Sequence, residues 1–161
     1  MDGNRVTRRR ALVARMLVIQ GALLIVVAVI HLVMTSEIGQ IVARNTTAKA
    51  DAFLWPPYAL DHVVAGILLF PIGITAMLCA GGIRAGDRRI WWIAFVNAVA
   101  VLSMPFAIAF TVGLSYFATA PAFLAGAALI SLVGLWMVWP LLWIYKDIFA
   151  GTPGTIPPAI H

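Results

Sequence analysis

Residues 63–82 read VVAGILLFPIGITAMLCAGG, twenty positions without one charged side chain. A hydrocarbon core is crossed by about 20 helical residues, so this run is the right length to span a bilayer. It must be helical, because irregular backbone facing lipid leaves amides and carbonyls without partners. The rest of the chain is read outward from this run.

Three more stretches have the same character. They are 16–34, interrupted only by Gln20 and His31, then 90–114, and then 122–145. The composition agrees. Of 161 residues, 63% are hydrophobic and only 11% are charged. A soluble domain has about 25% charged residues, and a globule this small leaves much of its surface exposed. The sequence therefore predicts an all-α, integral membrane protein: an antiparallel up-down bundle of four transmembrane helices.

The connections set the expected order of the bundle. IRAGDRR at 83–89 and SYFATAP at 115–121 are short, which makes sequential helices antiparallel neighbours. The connection 35–62 is long and is expected as an outer loop. Within it SEIGQIVARN (36–45) has the pattern of a short amphipathic helix. LWPPYAL (54–60) follows, with Pro56 and Pro57 marking an extended approach and Trp55 and Tyr58 at interfacial depth.

Direction comes from the cations. Arg5, Arg8, Arg9, Arg10, Arg15, Arg84, Arg88, Arg89 and Lys146 fall on one side of a four-span layout, and only Arg44 and Lys49 on the other. The positive-inside rule then places both termini in the cytoplasm, in a plasma (inner) membrane. The +5 net charge is topological rather than a mark of nucleic-acid binding, and the lipid bilayer, with its anionic headgroups, is the partner expected for these cations. Residues 1–15 read as a basic cytoplasmic tail, 16–145 as the transmembrane domain, and 146–161, ending GTPGTIPPAIH, as a flexible cytoplasmic tail. Trp91, Trp92, Trp143 and Tyr145 are expected in the inner aromatic belt. TRRRALV at 7–13 and AKA at 48–50 resemble parts of export signals, but the apolar core ends near Met34, too far from AKA for cleavage there. Asn45-Thr46-Thr47 matches a glycosylation acceptor, with nothing else pointing to a secretory pathway.

Small residues are expected where helices approach closely: Ala94 with Ala98, Ala122 with Gly126, and Gly126 with Gly134. Gln20, Thr75, Asn97, Ser103 and Thr111 are the intramembrane hydrogen-bonding groups, and Asn97 is expected to face inward. Cys79, the one cysteine, is read as a core residue.

The candidate site lies at the outer end. His31 is three residues before the end of the first span, and His62 opens the second, so the two fall at similar depth. Glu37 and Asp61 flank them as supporting polar groups. Paired imidazoles on facing helices suit haem b. Imidazole with carboxylate suits a metal. A proton-exchanging histidine beside lipid suits a quinone. No local motif selects among these, and the plainer reading is a polar membrane rim, with Asp61 capping its helix. Pro71 and Pro105 fall at matching depth and could kink two helices around a pocket.

Three functions follow from these residues. The first is a non-enzymatic accessory or structural subunit that packs against a membrane protein partner or a second copy. The second is an outer-face redox module holding haem b or quinone through His31 and His62. The third is an oligomeric small-solute carrier. No carboxylate crosses the bilayer centre, which weighs against ion pumping.

Overall fold

The computed structural model describes residues 3–45, 48–114 and 121–150; the side chains of 34, 36, 38, 39, 41–45, 48–62, 112 and 121–123 are not described. Among the described residues the only regular secondary structure is helical. The helices are α1 (Gly3–Asn45), α2 (Ala48–Ala85), α3 (Arg88–Val112), α4 (Pro121–Trp143) and a short α5 (Tyr145–Phe149). Among the described residues, four stretches are long and apolar enough to cross a membrane: Gly3–Val33, Val63–Ala85, Arg88–Thr111 and Leu124–Trp143.

Two boundaries differ from the sequence expectation. Residues 3–15, expected as a tail, are the first turns of α1. The connection 35–62, expected as a loop, is helical up to Asn45 and again from Ala48. Hydropathy marks where lipid ends, not where a helix ends. SEIGQIVAR carries Glu, Gln, Ala and Arg and AKADAF carries three Ala and a Lys, good helix formers that extend a helix beyond the apolar run at little cost. Pro56 and Pro57 fall within the bounds of α2. Their missing amides lie outside the apolar run, where water can satisfy the carbonyls left over.

The turn between α2 and α3 is also tighter than a seven-residue loop. Gly86 takes a left-handed φ of +82°, which a side chain would strain. Asp87 then caps α3, its Oδ1 accepting from the amides of Arg89 at 2.8 Å and Ile90 at 3.3 Å.

The core is a stripe from each helix. Val13, Leu17, Gln20, Leu24 and Ala28 face inward from α1, and Leu69, Ala76 and Ile83 from α2. Trp91, Ala94, Ala98 and Val101 come from α3, and Val133, Met137 and Leu141 from α4. Steps of three, four and seven keep each set on one helix face. The remaining faces carry exposed apolar side chains such as Val33, Leu78, Phe110 and Trp139, as a lipid-facing surface requires.

α1 and α2 pack along small residues. A Cβ on Gly21 would lie 2.5 Å from the Gly73 carbonyl, and one on Gly66 would lie 2.7 Å from Leu32 and 3.0 Å from the Ala28 carbonyl. These pairings descend α2 as they ascend α1. Gly66, Gly73 and Ala80 are seven apart, as are Ala14, Gly21 and Ala28, and all six are buried. A seven-residue repeat of small residues is the close-approach form of a left-handed helix pair. On the other side Gly134 meets Leu102, whose Cα would lie 2.6 Å from an added Cβ. Ala94 and Ala98 are buried as expected, whereas Gly126 faces open space and makes no close approach.

Candidate functional site

At the end of α1 that carries the candidate histidine, His31 is half-buried. Its Nδ1 lies 2.9 Å from the Val27 carbonyl one turn back. A carbonyl only accepts, so Nδ1 carries a proton, and a neutral ring has its lone pair on Nε2. Thr35 Oγ1 donates to the His31 carbonyl at 2.7 Å. Ala28 and Leu32 both approach Gly66, so the start of the second apolar run lies alongside His31. Glu37 is exposed. Asp61 and His62 fall within the bounds of α2, but their side chains lie outside the described residues, so the pairing of His31 with His62 does too.

Asn97 lies between α3 and α2, as its polarity requires. Its Nδ2 donates to the Ile72 carbonyl at 2.8 Å. Beside it a groove of about 400 Å³ runs between α2 and α3, lined by Thr75, Trp92, Ile93, Val96, Asn97 and Ala100. Thr75 turns its hydroxyl back to the Pro71 carbonyl at 2.8 Å. Pro105 is buried within α3 five residues beyond Ala100, and Pro71 is exposed on α2.

Gln20 is fully buried and donates to the Trp136 carbonyl at 2.7 Å. That carbonyl is the one Pro140 would have bonded had it an amide, because a helical proline frees the acceptor four residues back. A side chain of α1 thus fills a vacancy made by the sequence of α4.

The opposite end of the bundle holds a constellation that the sequence reading did not single out. α5 folds back so that Asp147 and Ile148 are buried, where a mobile tail was expected from residue 146. Arg10 donates to the Asp147 carbonyl. Arg88 donates to the carbonyls of Ile148 at 3.3 Å and Phe149 at 3.5 Å. Arg9 Nη1 lies 3.9 Å from Asp147 Oδ2 and its guanidinium sits 5.1 Å from the Trp143 ring. Trp91, expected in an interfacial belt, is instead buried at the centre. Its indole N–H donates to the Leu141 carbonyl at 3.0 Å, and its ring stacks on Phe95 at 4.9 Å. Tyr145 and Phe149 meet it edge-on at 5.4 and 5.3 Å. The visible hint was the i, i+4 spacing of Tyr145 and Phe149 after a proline-bent helix; without the register of α3 it could not be joined to Trp91.

Among the described residues, His, Cys, Asp and Glu do not gather in groups of three or more that could hold a metal. Comparison with protein-family models, with curated proteins and with solved structures returns no match to this chain.

Proposed function

We propose that the chain is a small multi-pass membrane protein, an antiparallel four-span bundle that serves as a non-enzymatic accessory or structural subunit. Its basic end faces the cytoplasm of a plasma (inner) membrane, following the positive-inside rule. The observation that carries the reading is a tryptophan ridge on the outer face of α4. Trp136, Trp139 and Trp143 recur at i, i+3 and i+7, and all three are exposed, Trp139 at 76%. Trp143 suits headgroup depth, but Trp136 is about 10 Å further along the helix, beneath the zone where lipid-facing tryptophans concentrate. An indole N–H at that depth calls for an acceptor that lipid tails do not supply. A neighbouring protein surface supplies one, and tryptophan is enriched where such surfaces bind tightly.

The bundle's own polar groups fit this role. Gln20, Asn97 and Trp91 each donate to a backbone carbonyl of another helix. They hold the bundle together and leave its outer faces for packing.

The test has two parts. Alkaline carbonate extraction and reporters on each terminus check that the chain spans the membrane with both ends inside. Mild solubilisation from its own membrane then sizes the assembly. The reading expects a complex larger than one chain in its micelle, reduced to that size by Trp136→Ala with Trp139→Ala. Wild type that runs as a single chain overturns the subunit reading and leaves the membrane assignment intact.

A second reading, an outer-face redox module binding haem b or quinone through His31 and His62, has one observation in its favour. The His31 Nδ1–H bond to Val27 fixes the ring as ligand histidines are fixed, by a backbone carbonyl behind the donor atom. Its test is an oxidised and dithionite-reduced absorption spectrum of purified protein beside His31→Ala and His62→Ala. A haem spectrum lost in both variants supports it, and a colourless wild type removes haem.

A further inference from the structure

The groove between α2 and α3 begins one helical turn from the basic end of the bundle. Its α3 wall is Trp92, Ile93, Val96, Asn97 and Ala100. These fall at i+3, i+4, i+7, i+8 and i+11 from Arg89, so Arg89 stands on the same helix face, one turn before the groove begins. Arg89 is exposed. From Arg89 to Ala100 the helix rises about 16 Å, close to half of a ~30 Å hydrocarbon core. That is the depth of one leaflet.

The groove itself is apolar in character. Asn97 spends an N–H on the Ile72 carbonyl and Thr75 its hydroxyl on the Pro71 carbonyl, so both polar groups are turned to the backbone of α2. The end of the bundle beside the groove is cationic. Contacts among Arg10, Gly86, Arg88 and α5 bring the N-terminal turns of α1, the α2–α3 turn and α5 to one end. Of the described acids there, Asp147 is buried and Asp87 is exposed, its Oδ1 turned to the amides of Arg89 and Ile90, so the exposed cations outnumber it. Arg5, Arg8, Arg84, Arg89 and Lys146 are all exposed at this end.

We infer that this face seats one anionic phospholipid, its phosphate on Arg89 and an acyl chain along Trp92, Val96 and Ala100. The charge complementarity selects an anionic over a zwitterionic headgroup, and the length of the groove selects a lipid over a free anion. The inference rests on the membrane-spanning reading above, and the two fail separately in the following experiment.

Full-length protein is reconstituted into bilayers of phosphatidylcholine with phosphatidylglycerol. Spin-labelled analogues of each lipid report the motionally restricted population at the protein. Wild type is expected to favour phosphatidylglycerol about fivefold, the weight of one basic residue at the surface. Arg89→Gln is expected to remove that preference. Val96→Trp fills the groove at a position 62% exposed, leaves every cation in place, and is expected to remove it too. Ile93→Trp, at another exposed position of the same wall, serves if Val96→Trp does not fold. Arg84→Gln changes the charge by the same amount from α2 and is expected to leave the preference within twofold. Equal losses in Arg84→Gln and Arg89→Gln would make the preference a diffuse field and overturn the site. So would an unchanged preference after the groove is filled, or no preference in wild type. A chain that does not enter bilayers at all fails the membrane reading first.

Discussion

Gly21 and Gly73 meet backbone to backbone. A Cβ on Gly21 would lie 2.5 Å from the Gly73 carbonyl, and a Cβ on Gly73 would lie 2.6 Å from the Gly21 carbonyl. The contact is reciprocal, so neither helix can yield by moving a flexible side chain alone. Gly21→Ala or Gly73→Ala should therefore lower stability in detergent by about 1–3 kcal/mol, the cost of overpacking a tight interface. Gly126→Ala is the matched control. Nothing lies within 4 Å of its added methyl, and replacing a helical glycine by alanine should raise stability by up to about 1 kcal/mol. Thermal or denaturant unfolding of the three variants checks the pair, and a neutral Gly21→Ala would refute the close approach.

Gln20 and Pro140 should be coupled although they do not bond. Gln20 donates to the Trp136 carbonyl, which is available because Pro140 has no amide. Gln20→Leu should cost about 1 kcal/mol, moderated because the buried Gln20 Oε1, which has no hydrogen-bond partner, is removed with it. In a Pro140→Ala background the new amide reaches the same carbonyl, so Gln20→Leu should cost less. A double-mutant cycle on unfolding free energies measures this coupling directly. Strict additivity would show that the two residues do not share an acceptor.

These two sites mark what could be read from the sequence. The four spans were legible because lipid demands about 20 apolar residues in a row, and the inward direction of Asn97 was legible because a carboxamide in lipid is costly. Gln20 was legible as a polar group inside a span, but its partner was not, since only the three-dimensional register brings residue 20 to residue 136. The same limit explains the glycines. Gly126 and Gly21 look alike in an apolar run, yet one faces open space and the other touches a carbonyl. The helical continuation through 35–45 was hidden for a different reason: polarity there marks the end of lipid, while propensity keeps the helix going. For the outer-end candidates, the sequence put His31 and His62 at one depth, and the structure describes the side chain of His31 alone.

Trp91 gives a test of the buried aromatic cluster. It is 2% exposed, stacks on Phe95 and donates to the Leu141 carbonyl in the last turn of α4. Trp91→Phe keeps a ring for the stack and leaves that carbonyl without its donor, at a cost of about 1–3 kcal/mol. Trp91→Ala also empties the site and should cost about 3–5 kcal/mol. The ordering is the check, by unfolding of both variants. Equal losses would mean that the indole hydrogen bond matters no less than the whole ring, which this packing does not allow.

Asp147 and Arg9 should respond differently to removal and to salt. The Asp147 side chain is 2% exposed, whereas that of Arg9 is 40% exposed. Their closest approach is 3.9 Å, so the pair is a weak contact rather than a tight hydrogen bond. Arg9→Gln leaves Asp147 beside Arg10 and removes a charge that water already screens, so it should cost about 0–1 kcal/mol. Asp147→Ala removes the buried acid beside Arg9, in the segment whose backbone carbonyls accept from Arg10 and Arg88, and opens space beneath α5. It should cost about 2–3 kcal/mol, below the full penalty for breaking a buried pair because Arg9 remains partly solvated. Raising the salt concentration should shrink the Arg9 effect within a Debye length of about 10 Å or less and leave most of the Asp147 effect, since buried charges are screened least. Unfolding of each variant at low and high salt separates the two. If Asp147→Ala is as mild as Arg9→Gln and equally salt-sensitive, α5 is held by its apolar residues Ile148 and Phe149 and by the arginine bonds to its backbone, and the carboxylate contributes nothing to the closure.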